Sequence, residues 1–385
     1  MQTSSRRLDG LGTTIFAEMS RMAAETGAVN LGQGFPDTDG PADVIDAAVS
    51  AMRGGANQYA PGRGVEELRN AIASHQADYW GLRVDPDTEV VVTTGATEAI
   101  AGAMLGLLDP GDEVIVLEPY YDSYVAMIQM AGAVRRPVTL HPPDFRPDIE
   151  QMRAAVTPRT RMILLNSPHN PTGMVLTAAE LDAIAQIAID HDLVVVSDEV
   201  YEHLTFDTPH IPIASRAGMG ERTVTISSAG KTFSFTGWKI GWATGPAGLV
   251  SSVAGATQFL TFTSGAPLQP AIAHALSRHG ADYFTAFRKR MRQQRDLLAD
   301  GLRATGMTVY QPQGTYFITS DIRPLGFDDG LEFCRQLPER CGVVAVPTQV
   351  FYDDVQAGRP LVRWAFCKQP DVLTEAARRL SVLAR

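Results

Sequence analysis

Short runs of β-branched and aliphatic residues alternate with longer Ala-, Leu- and Ile-rich segments through the middle of this chain. Val90–Thr93, Glu113–Leu117, Arg161–Asn166, Leu193–Ser197, Thr223–Ile226 and Gly241–Thr244 read as strands. Thr97–Leu108, Tyr121–Ala131, Thr177–Asp190 and Leu249–Gln258 read as helices. The strand runs are apolar almost throughout instead of alternating, so the sheet is expected to be covered on both faces. Strands that alternate with helices imply βαβ units and a mostly parallel sheet.

The pattern changes near Ala281. A long charged helix, Phe284–Thr305, precedes short strand-like runs at Met307–Tyr310, Thr315–Thr319 and Leu361–Phe366. This predicts an α/β architecture in two parts. Residues 40–280 form a large domain, and residues 281–385 form a smaller α+β domain that residues 1–39 join. Asn30-Leu31-Gly32-Gln33-Gly34-Phe35-Pro36 is expected to be a loop outside the central sheet. The last residues, Ser381 to Arg385, are expected to close a helix and match no address signal.

Composition narrows the function. A chain of 385 residues can bury a large core and divides into about two domains. Its net charge of −10 and the lack of a basic stripe argue against nucleic acid as a partner. No run of about 18 apolar residues suggests a membrane span, and no long apolar run follows Arg6-Arg7 as a signal peptide would require. Cys334, Cys341 and Cys367 form no CxxC pair and read as reduced thiols of a cytoplasmic protein. No metal-ligand spacing stands out.

Lysine usage is the sharpest chemical signal. The chain has four lysines against twenty-nine arginines, and Lys231 and Lys239 lie eight apart in an apolar, Gly-rich stretch. A desolvated lysine can lose its proton and condense with an aldehyde, whereas a guanidinium stays charged. Lys231 therefore reads as the Schiff-base residue of a pyridoxal 5′-phosphate enzyme, against the plainer possibility of a snorkelling surface lysine. Ser228-Ala229-Gly230-Lys231 also fits the S-x-x-K pattern of penicillin-binding enzymes, but that pattern's companions are absent.

Other candidates fall where predicted strands end, the rim on which open α/β sheets bind ligands. Asp198 closes an apolar strand and could pair with a pyridinium N–H, with Tyr201 near the ring hydroxyl; a helix N-cap is the ordinary alternative. Asn170, in Asn166-Ser167-Pro168-His169-Asn170-Pro171-Thr172-Gly173, offers an amide beside a turn. Gly95, Ala96 and Thr97 open a helix whose N–H groups could hold a phosphate, with Ser228 and Lys239 as further donors. Tyr121 has a flat face for stacking on a ring, or fills the core. Arg363 sits inside an apolar strand and needs an anion, either a substrate carboxylate or an internal Asp or Glu.

Taken together and in this order, Asn170-Pro171-Thr172-Gly173, Asp198-x-x-Tyr201 and Ser228-x-x-Lys231 with Gly237-Trp238-Lys239-Ile240-Gly241-Trp242 resemble the class I aminotransferases of fold type I, from about Phe16 to the C-terminus. Asn30–Pro36 and Glu118-Pro119-Tyr120-Tyr121-Asp122-Ser123-Tyr124 are similar to the kynurenine, glutamine and methionine aminotransferase branch. Ile226-Ser227-Ser228-Ala229, Ser167–Asn170 and Arg379–Ala384 most resemble actinobacterial N-succinyldiaminopimelate aminotransferases of lysine biosynthesis.

The resemblance implies that Lys231 carries the cofactor, Asp198 meets the pyridine nitrogen, and Asn170 and Tyr201 bind the ring hydroxyl. It implies that Tyr121 stacks on the ring, while Ala96, Thr97, Ser228 and Lys239 hold the phosphate. Arg363, Asn170 and the Gly34 backbone would bind the substrate carboxylate. Tyr59 would reach the neighbouring subunit's phosphate, which implies a homodimer with the active site at its interface. Phe16 stands where some kynurenine enzymes have tryptophan, so a kynurenine preference is not expected.

Three functions are compatible with these residues: a transaminase acting between amino acids and 2-oxo acids, a cysteine-S-conjugate β-lyase with the same cofactor residues, and a non-enzymatic regulator. The last needs a helix-turn-helix module, for which the roughly thirty residues before Gly32 leave no room. No Lys or Arg lies between Ser251 and Ser277, where dicarboxylate-specific relatives place a side-chain-binding arginine. A dedicated aspartate enzyme is therefore not expected. Arg63, beside Tyr59, is a candidate cation for a distal substrate carboxylate.

Overall fold

The computed structural model describes residues 5–12 and 14–384. Arg385, and with it the end of the expected closing segment, lies outside the described residues. The strands, in chain order, are β1 (Val29–Asn30), β2 (Val90–Thr94), β3 (Glu113–Glu118), β4 (Val134–Thr139), β5 (Thr160–Asn166), β6 (Val194–Asp198), β7 (Thr223–Ser228), β8 (Ile240–Thr244), β9 (Thr308–Tyr310), β10 (Phe317–Asp321), β11 (Val343–Val344), β12 (Val346–Pro347) and β13 (Leu361–Ala365).

Seven strands form the central sheet, in the order β2-β8-β7-β6-β5-β3-β4. Only β8 runs antiparallel to its neighbours; the remaining pairs are parallel. Successive side chains alternate between two cores, as a pleated strand requires. Val114, Val116, Met162, Leu164 and Val196 enter one core with Ile100 and Val250. Ile115, Leu117, Ile163, Leu165 and Val195 enter the other with Leu181 and Ile184. Both faces are dry, which explains the unbroken apolar runs.

The expected helices form with small shifts at their ends. Ala178–Asp190 begins at a capping box in which Thr177 and Glu180 satisfy each other's backbone N–H groups. Tyr121 is the N-cap of Asp122–Met130 and does not belong to the helix itself. The hydrophobic pattern passes over β4. That strand carries Arg135, Arg136 and Pro137, and it lies at the sheet edge, where Pro and charge are tolerated.

A second, antiparallel sheet has the order β12-β13-β10-β9. Leu298 and Leu302 of helix Ala281–Ala304, Phe333 and Leu337 of Gly330–Cys341, and Leu373 and Ala376 of Pro370–Leu380 share one core with Trp364 of β13. Met19 and Ala23 of helix Ile15–Thr26 enter the same core. The segment from Asn30 to Pro36 is loop, apart from the short β1–β11 pairing that lies outside the central sheet. Among the described residues no helix is long and apolar enough to cross a membrane.

Candidate active site

The six co-directional strands of the central sheet end on one rim, and a cavity of about 220 Å³ opens there. The sheet order sets the layout. Gly95 follows β2, Lys231 follows β7, Asp198 ends β6 and Asn166 ends β5. With strands about 4.8 Å apart, the helix start at Gly95 and the carboxylate at Asp198 stand roughly 14 Å from each other across three strand intervals. Lys231 lies between them. Phe16, Gly34, Gly95, Ala96, Thr97, Tyr121, Asn170, Tyr201, Ser228, Lys239 and Arg363 also line this cavity.

At the β2 end the backbone builds an anion cradle. Helix Gly95–Leu107 points its first N–H groups into the cavity, where the helix dipole favours negative charge. Gly95 has φ +72°, and a Cβ there would lie 3.1 Å from Lys239 Nζ, so the ammonium sits directly over the helix start. A Cβ on Gly241 would lie 2.5 Å from the Gly95 carbonyl carbon, so only glycine lets β8 approach this closely. Glu98 ties the cradle down by accepting hydrogen bonds from the Thr94 N–H and the Thr261 hydroxyl.

Lys231 lies on the short helix Ala229–Thr232, and its Nζ donates to the Tyr316 hydroxyl at 2.8 Å. Desolvation in the cavity lowers its pKa to about 8, against opposing effects of Cys367 and Asp198. It is therefore not a snorkelling surface lysine.

Asp198 is buried at the end of β6 and accepts from Tyr124 Oη at 2.6 Å and from the Val200 N–H at 3.3 Å. Burial raises its pKa to about 6, although the Tyr124 and Val200 hydrogen bonds act the other way. The segment after Asp198 is pinned from behind. Glu199 meets His210 at 2.8 Å, and Glu202 accepts from the Ser227 hydroxyl and the Trp80 indole at 2.6 Å each. His75 and His203 contact each other through Nε2 at 2.6 Å in the same buried group. These contacts fix Tyr201, whose phenol burial holds protonated.

Arg363 projects from β13 with 2% of its surface exposed. Nη1 donates to Asn170 Oδ1 at 3.1 Å and Nη2 to the Gly32 carbonyl at 2.9 Å, while among the described residues buried Nε has no partner. Its Cζ stands 4.1 Å from the Phe317 ring centroid and 4.9 Å from that of Phe16. Among the described residues no carboxylate forms an ion pair with it, so the internal Asp or Glu partner considered above does not exist. A buried guanidinium held only by neutral oxygens and aromatic faces remains available to an incoming carboxylate.

Two candidates lie outside the cavity. Tyr59 is 83% exposed, with its ring edge-on to Phe262. Arg63 donates to the Thr88 carbonyl at 3.1 Å. Sequence reasoning missed Tyr124 and Tyr316. Tyr124 was legible in principle, because it follows the Tyr121 N-cap by three residues and so shares one side of the first helical turn. Tyr316 comes from the residues leading into β10, far from any strand-end motif, and no local signal marks it.

The residues present fit pyridoxal 5′-phosphate: a cationic helix start for a phosphate, a buried carboxylate for a ring nitrogen, and a desolvated amine between them. These features and the fold define a fold type I pyridoxal-phosphate-dependent transferase. The chain belongs to the class I and II aminotransferase family, whose sequence model matches residues 26–380. Its cofactor is pyridoxal 5′-phosphate.

The chain is 54% identical to a probable N-succinyldiaminopimelate aminotransferase of Mycobacterium tuberculosis, covering 98% of both chains. It is 39% identical to the methionine aminotransferase of Escherichia coli, over 98% of this chain and 97% of that one. The solved structure of N-succinyldiaminopimelate aminotransferase from M. tuberculosis superimposes with a TM-score of 0.97, over 99% of this chain and all of that one. A single mutant of aspartate aminotransferase from Thermus thermophilus, 36% identical, superimposes at 0.91 with full coverage of both chains.

Proposed function

We propose that this aminotransferase acts on an N-succinylated 2-oxo-6-aminopimelate-type substrate with glutamate as amino donor. The observation that carries the reading is the 54% identity, spread over 98% of both chains, to a protein described as an N-succinyldiaminopimelate aminotransferase. The absence of Lys and Arg from Ser251 to Ser277 agrees with a substrate other than aspartate. The second reading is a broad-specificity methionine, glutamine or kynurenine aminotransferase or a cysteine-S-conjugate β-lyase. It is favoured by the 39% identity to a methionine aminotransferase.

The geometry of the cavity supports the following residue roles. Bound in the cavity, pyridoxal phosphate supplies an aldehyde carbon that condenses with amines and a ring that accepts electron density from the amino-acid α-carbon. Lys231, with a pKa near 8, is a sufficiently weak acid-base pair to hold or release a proton at the α-carbon near neutral pH. Asp198, ionised above about pH 6, keeps a proton on the ring nitrogen, and Tyr124 orients its carboxylate. Tyr201 and Asn170 serve the ring oxygen, and Tyr121 covers the ring.

Gly95, Ala96, Thr97, Ser228 and Lys239 hold the phosphate. Arg363 binds the α-carboxylate through its free edge, with Asn170, the Gly34 backbone and Phe16 around it. Exposed Tyr59 completes the site of a second subunit in a cytoplasmic homodimer. The chain divides into a large domain, residues 40–280, and a small one, residues 1–39 and 281–385.

The test is catalytic efficiency for the succinylated substrate against methionine, glutamine and kynurenine, with product analysis. The proposed substrate should be preferred and yield keto acid in stoichiometric exchange. A preference for methionine or kynurenine supports the second reading. Pyruvate, ammonia and a thiol from a cysteine conjugate identify a lyase. Sedimentation analysis should find a dimer, and an active monomer would remove Tyr59 from the site.

A further inference from the structure

Tyr316 is 1% exposed and carries a polar hydroxyl into an apolar setting, which a protein tolerates only when the oxygen is partnered. The ring is locked edge-on against Tyr201 at 5.2 Å and against Phe317 at 4.9 Å. The hydroxyl has two partners. It donates its hydrogen to the Gly34 carbonyl and accepts from Lys231 Nζ at 2.8 Å.

The direction of these two bonds matters. A carbonyl has no hydrogen to give, so Gly34 takes the phenol's only hydrogen and leaves its oxygen to Lys231 as an acceptor. The lysine spends an N–H on this contact and keeps the nitrogen lone pair unused. Had the phenol donated to Nζ, the lone pair needed to receive a proton would have been consumed. Tyr201 is the other neighbour able to take the phenol's hydrogen, and it would leave the lysine lone pair equally free.

We propose that Tyr316 is a positioning residue for Lys231, holding the amine by one N–H so that its lone pair stays open to the substrate α-carbon. The proposal rests on the reading of Lys231 as the cofactor-bearing lysine. In the proton transfer, Lys231 takes the α-proton onto its lone pair, becomes an ammonium and later releases that proton to a second reacting carbon, which restores the neutral amine. Tyr316 neither gains nor loses a proton. The charged or titratable groups that face Lys231 besides Tyr316 are Tyr201, Cys367, Asp198, Arg363 and Lys239, and all of them persist when Tyr316 is changed.

The test is Tyr316→Phe in the full-length protein. Phenylalanine keeps the ring packed on Tyr201 and Phe317 and removes only the oxygen. Three measurements are compared with wild type. Borohydride reduction followed by peptide mass spectrometry should trap the cofactor on Lys231 equally in both proteins. The single-turnover rate of substrate deprotonation should fall about a hundredfold, the usual consequence of a misplaced catalytic group, with KM for the amino donor within about twofold.

In the cofactor-stripped chain, acetylation of Lys231 followed against pH should show a lower midpoint in the variant, because a hydrogen bond favouring the ammonium has gone. An unchanged single-turnover rate, an unchanged acetylation midpoint, or a rate loss matched by an equal rise in KM overturns the proposal. Absence of a Lys231 adduct in wild type overturns the underlying reading of Lys231 as well, and so separates the two failures.

Discussion

Replacing Asp198 by asparagine should damage catalysis while stabilising the cofactor-free chain. Burial raises this carboxyl from its ordinary 3.8 to about 6. That displacement corresponds to roughly 3 kcal/mol of unfavourable free energy when the group is ionised. Between these two values the folded chain binds more protons at Asp198 than the unfolded chain. The advantage of the protonated form is therefore complete below about pH 4 and is lost as pH rises through about 6.

Asparagine resembles the protonated carboxyl, and its carbonyl can still accept from Tyr124. At about pH 8 the variant avoids the whole cost, less about 1 kcal/mol for a poorer contact with the Val200 N–H. The expected gain is about 2 kcal/mol, or a few degrees in melting temperature. At about pH 5 the ionisation cost in wild type falls to about 1.5 kcal/mol, so most of the gain should vanish. The assay is thermal unfolding of cofactor-stripped wild type and variant at both pH values. In the holoenzyme the variant's single-turnover deprotonation rate should fall about 10²–10³-fold, because a neutral amide no longer holds a proton on the ring nitrogen. A variant that is no more stable than wild type at pH 8, or a stability difference independent of pH, refutes the buried-charge argument. A near-normal deprotonation rate refutes the assignment to the ring nitrogen.

Other perturbations separate the remaining roles. Lys231→Ala should abolish turnover and the visible absorbance of lysine-bound cofactor while leaving noncovalent binding, which equilibrium dialysis with absorbance spectra can measure. Lys239→Ala should weaken cofactor retention about 10–100-fold, the worth of one charge-assisted hydrogen bond, with little change in single-turnover rate once loaded; equal loss on dialysis from wild type would remove it from the phosphate site. Arg363→Lys should raise KM for the amino donor at least about tenfold, because an ammonium cannot replace a planar fork, and steady-state kinetics with unchanged KM would contradict that role.

Much of the site was legible in the sequence because its chemistry hangs on strand ends, and strand ends are marked by local pattern. An apolar run ending in Asp198, and another leading to Ser228 and Lys231, locate two side chains on one rim before any pairing is known. Arg363 was legible for a different reason: an arginine within an apolar strand has to be explained. What the pattern did not carry were relations between distant segments. The reversed direction of β8 and the closeness of Gly241 to Gly95 depend on pairing β2 with β8, about 150 residues apart in sequence. Tyr316 reaches Lys231 from the residues leading into β10, across the junction between two sheets. The edge strand β4 was hidden by Arg135, Arg136 and Pro137, residues that suit a sheet edge and erase the strand signal.

Every proposed role depends on Lys231, one of only four lysines, carrying the cofactor. Borohydride reduction of the holoenzyme, followed by proteolysis and mass spectrometry, tests this directly. A single pyridoxyl adduct is expected, on the peptide containing Lys231. An adduct on Lys239, Lys289 or Lys368, or no covalent adduct at all, would contradict it.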